Sequence, residues 1–262
     1  MKLLTLNVHA WQEENQLKKI SQLAEAIHKK RYDAVALQEV SQHMDSPLAY
    51  GTIREDNYGL LLLQHLENLG STDYELHWDV SHFGYDVYEE GIALLTRHPV
   101  KETEQFYITS SESIAFWKSR KIVGATLLIT GTPHTLYSCH LGWWGDADEP
   151  YGNQVDRLTK QIAHPCFLLG DFNAADNVEG EGYDYILQKG FIDTHQEAGR
   201  QNGKSTIKGK IAGWDDNLAD LKIDHIFTNE KVNVYQSSVV FDGKNGPVIS
   251  DHYGLEIEYD RN

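Results

Sequence analysis

The 262-residue sequence predicts an α/β fold in which two β-sheets pack together and are flanked by helices. Three observations lead there. The chain opens strand–helix–strand, its middle is a run of short strand candidates broken by Gly, Pro and polar turns, and a second helix–strand segment follows. No linker, repeat or low-complexity segment interrupts the pattern. The length suits one large domain, so residues 1–262 are read as a single unit.

Taken in order, residues 2–8 form a short apolar strand that ends near Asn7. Residues 15–31 place Leu17, Ile20, Leu23, Ala24 and Ile27 at helical spacing, with charge on the other face. Residues 33–37 are the next strand, with Gln38 and Glu39 at its C-terminal end. A helix between them makes the two strands parallel, which puts Asn7 and Glu39 at corresponding ends. Residues 42–57 read as a loop and 58–69 as a helix. Strands follow at 74–80, 91–96, 100–108, 122–130 and 135–141. The loop 142–152 carries Trp143, Trp144, Asp146, Asp148 and Glu149. Residues 155–163 are helical, 166–169 a buried strand and 178–189 a helix. Residues 199–220 lack periodicity and read as an extended loop, and strands at 223–228, 232–240 and 253–259 close the chain.

Acidic residues outnumber basic ones by 39 to 23, for a formal charge of −16. Nucleic-acid binding rests on Lys and Arg replacing phosphate counterions, so the balance counts against a nucleic-acid substrate. The two cysteines, Cys139 and Cys166, lie in apolar stretches and form no CxxC pair, which indicates buried free thiols. The apolar part of the N-terminus is too short for a signal peptide, and no stretch has the length of a membrane span. The expectation is a cytoplasmic protein with no membrane partner.

The chemistry concentrates where strands end. The apolar run from Cys166 to Leu169 stops at Gly170, and Asp171 and Asn173 then flank Phe172. Alternation points Asp171 and Asn173 the same way and turns Phe172 into the core. Asn7, Glu39, His140 and the dipeptides Asp224-His225 and Asp251-His252 share this strand-end context. A hard divalent cation such as Mg²⁺ takes oxygen ligands and keeps several waters, so one or two carboxylates suffice. Glu39 is the first candidate ligand, with Asp251 and Asn7 beside it if the strands align. Hydrolysis of a phosphate ester needs a carboxylate to orient and deprotonate water, a role that suits Asp171. It also needs donors for the non-bridging oxygens, which suits Asn173, His140 and His252. Asp224 is placed to orient His252.

The segments LLTLNVHAW, ALQEV, YSCHLGWW, LLGDFNAA, IDHIF and SDHYGLEIE, in this order over nearly the whole chain, resemble the endonuclease/exonuclease/phosphatase superfamily. The resemblance implies a four-layer αββα sandwich of two mixed sheets flanked by helices, and Mg²⁺-dependent phosphoester hydrolysis, with Mn²⁺ as the alternative metal. It implies Asn7 and Glu39 at the metal with Asp251 beside it, and His140 and Asn173 on the phosphate. Asp171 becomes the base, and Asp224 pairs with a phosphate-binding His252. His9 stands where many nucleases of the group carry an aspartate. The acidic and aromatic stretches after His140 and at 85–91 look more like a bacterial branch of phosphatases that includes maltose 6'-phosphate phosphatase. That resemblance implies a small phosphorylated sugar as substrate, with Trp143 and Trp144 stacking on a sugar face and Glu90 and Arg120 binding it. A phosphodiesterase of the same superfamily is the alternative, and an inactive binding module on this scaffold is the alternative from another class.

Overall fold

The structure, a computed structural model, describes residues 1–261. The strand β1 (Lys2–Asn7), helix α1 (Gln16–Lys30) and strand β2 (Ala34–His43) form the expected parallel unit, with Asn7 opposite Gln38. A small hairpin, β3 (Leu48–Tyr50) and β4 (Ile53–Arg54), and helix α2 (Tyr58–Asn68) lead to a long hairpin, β5 (Glu75–Gly84) and β6 (Tyr88–Thr96). A meander of β7 (Val100–Tyr107), β8 (Lys121–Ile129) and β9 (Thr132–His140) follows, then α3 (Tyr151–Gln161) crosses to β10 (Cys166–Asp171). The last third contains α4 (Gly182–Gln188), β11 (Ile192–Asp193), α5 (Thr194–Glu197), β12 (Arg200–Asn202), β13 (Ile207–Lys208) and β14 (Asp220–Leu221). It closes with β15 (Asp224–Thr228), β16 (Val232–Val240) and β17 (Gly254–Arg261).

These strands build a seven-stranded sheet, β12-β16-β17-β1-β2-β6-β5, and a six-stranded one, β11-β15-β10-β9-β8-β7. Period-two alternation divides their side chains between two cores. Leu4, Leu6, Val35 and Leu37 face outward to Ile20, Leu23 and Ile27 of α1 and Leu62 and Leu66 of α2. Leu3, Ala34 and Ala36 face the other sheet and meet Val123, Leu127, Leu136, Phe167 and Leu169. Val155 and Leu158 of α3 and Ile186 of α4 cover the far side of the second sheet, over Cys139, Cys166 and Leu168. The result is helices, sheet, sheet, helices. Both cysteines are free and buried, and burial pushes their thiols up. Among the described residues no helix is long and apolar enough to cross a membrane.

Several boundaries differ from those expected. Leu17 is 61% exposed and lies off the packed face of α1. The helix expected over 178–189 is confined to Gly182–Gln188, and the segment 199–220 contains three short strands. Glu39 does not end β2, which continues to His43. Leu37 pairs with Ala93 but Val40 with Gly91, so β2 carries one extra residue there. Glu39 has φ 53°, a left-handed conformation that costs a residue with a Cβ and marks a bulge. Strand β5 has a second bulge, since Val80 pairs with Gly91 and His82 with Glu90. Gly91, between the two bulges, has no room for a side chain: a Cβ would stand 2.4 Å from Asp79 O.

Candidate active site

One end of the sandwich collects the polar residues. On the six-stranded sheet, His140 ends β9 and pairs in register with Asp171 at the end of β10, which pairs with Asp224 at the start of β15. Gly170 allows the close approach, because a Cβ there would fall 1.8 Å from Cys139 O. Arg120 directly precedes β8, the strand on the other side of β9. From the seven-stranded sheet come Asn7, Glu39, Glu90 and His82, with His252 just ahead of β17. Glu39, His82, Glu90, Arg120, His140, Asp171 and His252 line a cleft of about 520 Å³, completed by Tyr85, Trp117, Trp143, Asn173 and the Ala212-Gly213 turn, with Asn7 and Asp224 behind them as hydrogen-bond partners.

Asp171 is the hub. Its Oδ1 accepts from Asn173 N at 2.8 Å and its Oδ2 from Asn7 Nδ2 at 3.2 Å. His140 Nε2 and His252 Nε2 stand 3.7 Å and 3.8 Å from that same Oδ2. Burial and the Asp224 charge raise the Asp171 carboxyl to about 6 against the opposing charge of His252. His252 Nδ1 donates to Asp224 Oδ2 at 2.9 Å. Burial alone would lower the His252 imidazole, but the Asp224 and Asp171 carboxylates prevail and lift it to about 10. His252 is therefore a fixed imidazolium at neutral pH. His140 behaves oppositely: burial and the charge of Arg120 hold it well below its ordinary range, so it is neutral.

Asn7 bridges the carboxylates, its Nδ2 donating to Glu39 Oε1 at 2.8 Å as well as to Asp171. Its Oδ1 accepts from His9 N at 3.1 Å, so the amide serves as a donor to both acids. Glu39 has no ion pair within 4.0 Å among the described residues, and burial together with Glu90 raises it to about 7. A half-buried carboxylate without an ion pair, close to other carboxylates, suits a hard divalent ion, and Glu39, His140 and Asp171 bring ligand atoms within 4.8 Å of one another. Asp251 belongs to a neighbouring group with His9 and Glu13. Its N donates to Glu13 Oε1 at 3.0 Å, and its Oδ1 lies 3.5 Å from His9 Nδ1.

Asn173, with φ 47°, uses the tolerance of asparagine for left-handed backbone. Its Nδ2 donates to Leu141 O and its Oδ1 accepts from Trp214 Nε1, each at 2.9 Å, leaving one amide proton for the cleft. Phe172 is buried beneath it.

Of the expected substrate residues, Glu90, Arg120 and Trp143 line the cleft. Trp144 does not: it packs on Tyr151 and Tyr185, with ring centroids 5.8 Å and 6.0 Å away, on the α3–α4 side. The acidic loop is also structural. Asp146 and Asp148 hold Lys118 at 2.6 Å and 2.7 Å, and Glu149 accepts from Ser110 N and Ser111 N. The cluster Lys118, Arg120 and Lys121 diverges, since Lys121 pairs with Asp79 and only Arg120 faces the cleft. Sequence reasoning missed His82, Trp117 and Trp214, and marked Tyr85 only as part of the stretch 85–91. His82 was hidden by the inserted residue in β5, because unbroken alternation past Val80 would turn it to the helix side; Trp117 and Trp214 have no local signal.

The fold agrees with that of known proteins. Residues 4–252 match the model of the endonuclease/exonuclease/phosphatase family. A protein of that family from Leptotrichia buccalis C-1013-b is 39% identical, with a TM-score of 0.92 and 99% of each chain covered. The mannosyl-6-phosphatase Bt3783 of Bacteroides thetaiotaomicron VPI-5482 superposes with a TM-score of 0.73 at 16% identity, over 99% of each chain. The beta toxin of Staphylococcus aureus, solved with bound magnesium ions, gives 0.66 at 16% identity over 98% of each chain. No curated protein gave a significant match. With residues 4–252 matched by the family model and a 39% identical relative covering 99% of the chain, this chain belongs to the endonuclease/exonuclease/phosphatase family of metal-dependent hydrolases.

Proposed function

We propose that the protein is a Mg²⁺-dependent phosphomonoesterase acting on a small sugar phosphate such as maltose 6'-phosphate, with Mn²⁺ able to replace Mg²⁺. The observation that carries this reading is the cleft itself. About 520 Å³ suits a small ligand, and its anion-binding groups His140, Asn173, Arg120 and His252 lie together around Asp171. The two lysines flanking Arg120 in the sequence are held by aspartates, so they offer no second phosphate contact of the kind that strengthens nucleic-acid binding. The rest of the lining mixes aromatic side chains, Tyr85, Trp117 and Trp143, with the carboxylates of Glu90 and Asp86, a surface suited to hydroxylated rings.

Glu39 would hold the metal, which would supply charge neutralisation at the phosphate oxygens. Asp171, fixed by Asn7 and Asn173, takes the proton from the attacking water. His252, kept charged by Asp224, stabilises the charge that gathers on the phosphate oxygens. Neutral His140 and the free amide proton of Asn173 orient that group.

The test is a panel of phosphorylated metabolites with Mg²⁺ or Mn²⁺, read as inorganic phosphate release, against plasmid DNA and a phospholipid. A sugar phosphate should show by far the highest kcat/KM. Metal-dependent plasmid nicking without phosphate release from any sugar phosphate would assign the protein to the phosphodiesterases instead.

A further inference from the structure

Arg120 is 4% exposed and lines the cleft, yet no carboxylate lies within 4.0 Å of it among the described residues. Nη1 donates to Trp117 O at 3.0 Å and, more weakly, to Ser119 O at 3.4 Å. Nε is buried with no acceptor, and Nη2 donates to no described residue. The guanidinium lies over the Trp143 ring, 5.8 Å from its centroid, and Trp143 Nε1 is a second buried donor with no acceptor. The nearest candidate counter-charge, Glu90, is engaged at 3.2 Å by His82 Nε2, whose other nitrogen faces Ser119 O. Burying an unpaired cation is costly, and burial accordingly lowers the guanidinium's affinity for its proton. Such a group persists when its partner comes from outside.

The strand order says what that partner is. Arg120, His140 and Asp171 come from three successive strands at the same edge of one sheet. Arg120 also acts on His140 more strongly than any other charge does. An anion reaching His140 and Asn173 therefore also reaches Arg120. A phosphate monoester has three non-bridging oxygens and two charges, whereas a diester has two oxygens and one charge. His140, Asn173, His252 and a metal already provide for a diester.

We infer that Arg120 binds the terminal non-bridging oxygen found only in a monoester, and so selects monoesters over diesters in this cleft. The inference rests on the phosphomonoesterase reading above and names the residue that creates that preference. Guanidinium donors suit phosphate oxygens, and stacking on Trp143 fixes the plane in which this one is presented.

The experiment uses the full chain with Mg²⁺ and compares wild type with Arg120→Met and Arg120→Lys. The readouts are p-nitrophenyl phosphate and bis-p-nitrophenyl phosphate hydrolysis, and inorganic phosphate binding by calorimetry. Arg120→Met should lower the monoester-to-diester ratio of kcat/KM by about a hundredfold, the scale of losing one oxyanion-type donor. It should also weaken phosphate binding by about tenfold or more, the scale of losing a charge-assisted hydrogen bond. Arg120→Lys, which keeps the charge, should fall between, and it serves alone if Arg120→Met does not fold. Equal losses on both esters, unchanged phosphate binding, or a loss confined to sugar phosphates would overturn the inference. If wild type hydrolyses only diesters, the functional reading fails by itself, and phosphate binding still decides the role of Arg120.

Discussion

On the six-stranded sheet, Arg120, His140, Asp171 and Asp224 stand in one row because four neighbouring strands begin or end at the same edge. On the seven-stranded sheet, Glu39 and His82 reach the same cleft only through one extra residue each in β2 and β5. Regular strand ends place a hydrogen-bonded hub, in which Asp171 is held by Asn7 and Asn173 and His252 by Asp224. The bulged side instead places Glu39, a carboxylate with no ion pair among the described residues, beside a Glu90 engaged by His82. One wall is a set of mutually hydrogen-bonded groups, and the other leaves one carboxylate, Glu39, without an ion pair among the described residues.

The bulged side should give the largest effect. Glu39→Gln is expected to lower kcat by on the order of a thousandfold, the upper range for one charge-stabilising group. Excess EDTA should do the same to wild type. In metal-free protein the folded pKa of Glu39, about 7, lies above its ordinary 4.5. The stability this group contributes is thus present below 4.5 and lost as pH rises through about 7. The neutral amide removes that loss, so metal-free Glu39→Gln at pH 8 should melt at or above the wild-type Tm. A lower Tm, or unchanged turnover, would break the contrast between the two walls.

Next comes the hub. Asp171→Asn should reduce kcat by roughly a hundredfold or more, as expected for loss of a general base. For wild type, kcat/KM should rise through about pH 6 as Asp171 ionises and fall through about pH 10 as His252 loses its proton. Asp224→Asn should cost about ten- to a hundredfold, the range for an orienting partner. Because the Asp224 carboxylate is the first cause raising His252, its loss should also move the alkaline limb to lower pH. A limb that stays in place would show that Asp224 does not hold the imidazolium.

The smallest effects separate two tryptophans. Trp117 is 52% exposed at the cleft, with its ring centroid 6.2 Å from that of Trp143. Trp117→Ala should raise KM for sugar phosphates while leaving p-nitrophenyl phosphate nearly unaffected. Trp144→Ala should lower Tm by a few degrees through its lost packing and leave selectivity unchanged. The reverse outcome would return Trp144 to the substrate side.

The same contrast explains what could be read from the sequence. Asn7, His140, Asp171 and Asn173 were legible because an apolar run that stops at a polar residue gives both the strand and its end. The four layers were legible because β1, α1 and β2 keep their periods without interruption. Glu39 was found as a residue but misplaced, since alternation cannot register an inserted residue while the strand continues. Trp144 was assigned to the wrong side because one tryptophan of an adjacent pair packs against α3 and α4, a choice only tertiary contacts make. Trp214 and Trp117 lie in segments without periodicity and act through contacts with Asn173 and Trp143, distant in the chain.

The extra residue in β2 has a consequence for how this protein can be altered. Before it, even-numbered side chains, Ala34 and Ala36, face the other sheet; after it, Val40 joins the layer under α1 and α2. The bulge is thus a change of phase, and the carboxylate sits where the phase changes. Deleting one residue between Leu37 and Val40 would restore an unbroken ladder with Val40 still opposite Gly91 in the layer under α1 and α2, and would remove the inserted position that carries Glu39. Shortening this loopless stretch by one residue therefore edits the bulge while sparing the core faces on both flanks. Sequence length between Leu37 and Val40 is as much a functional constraint here as the identity of Glu39.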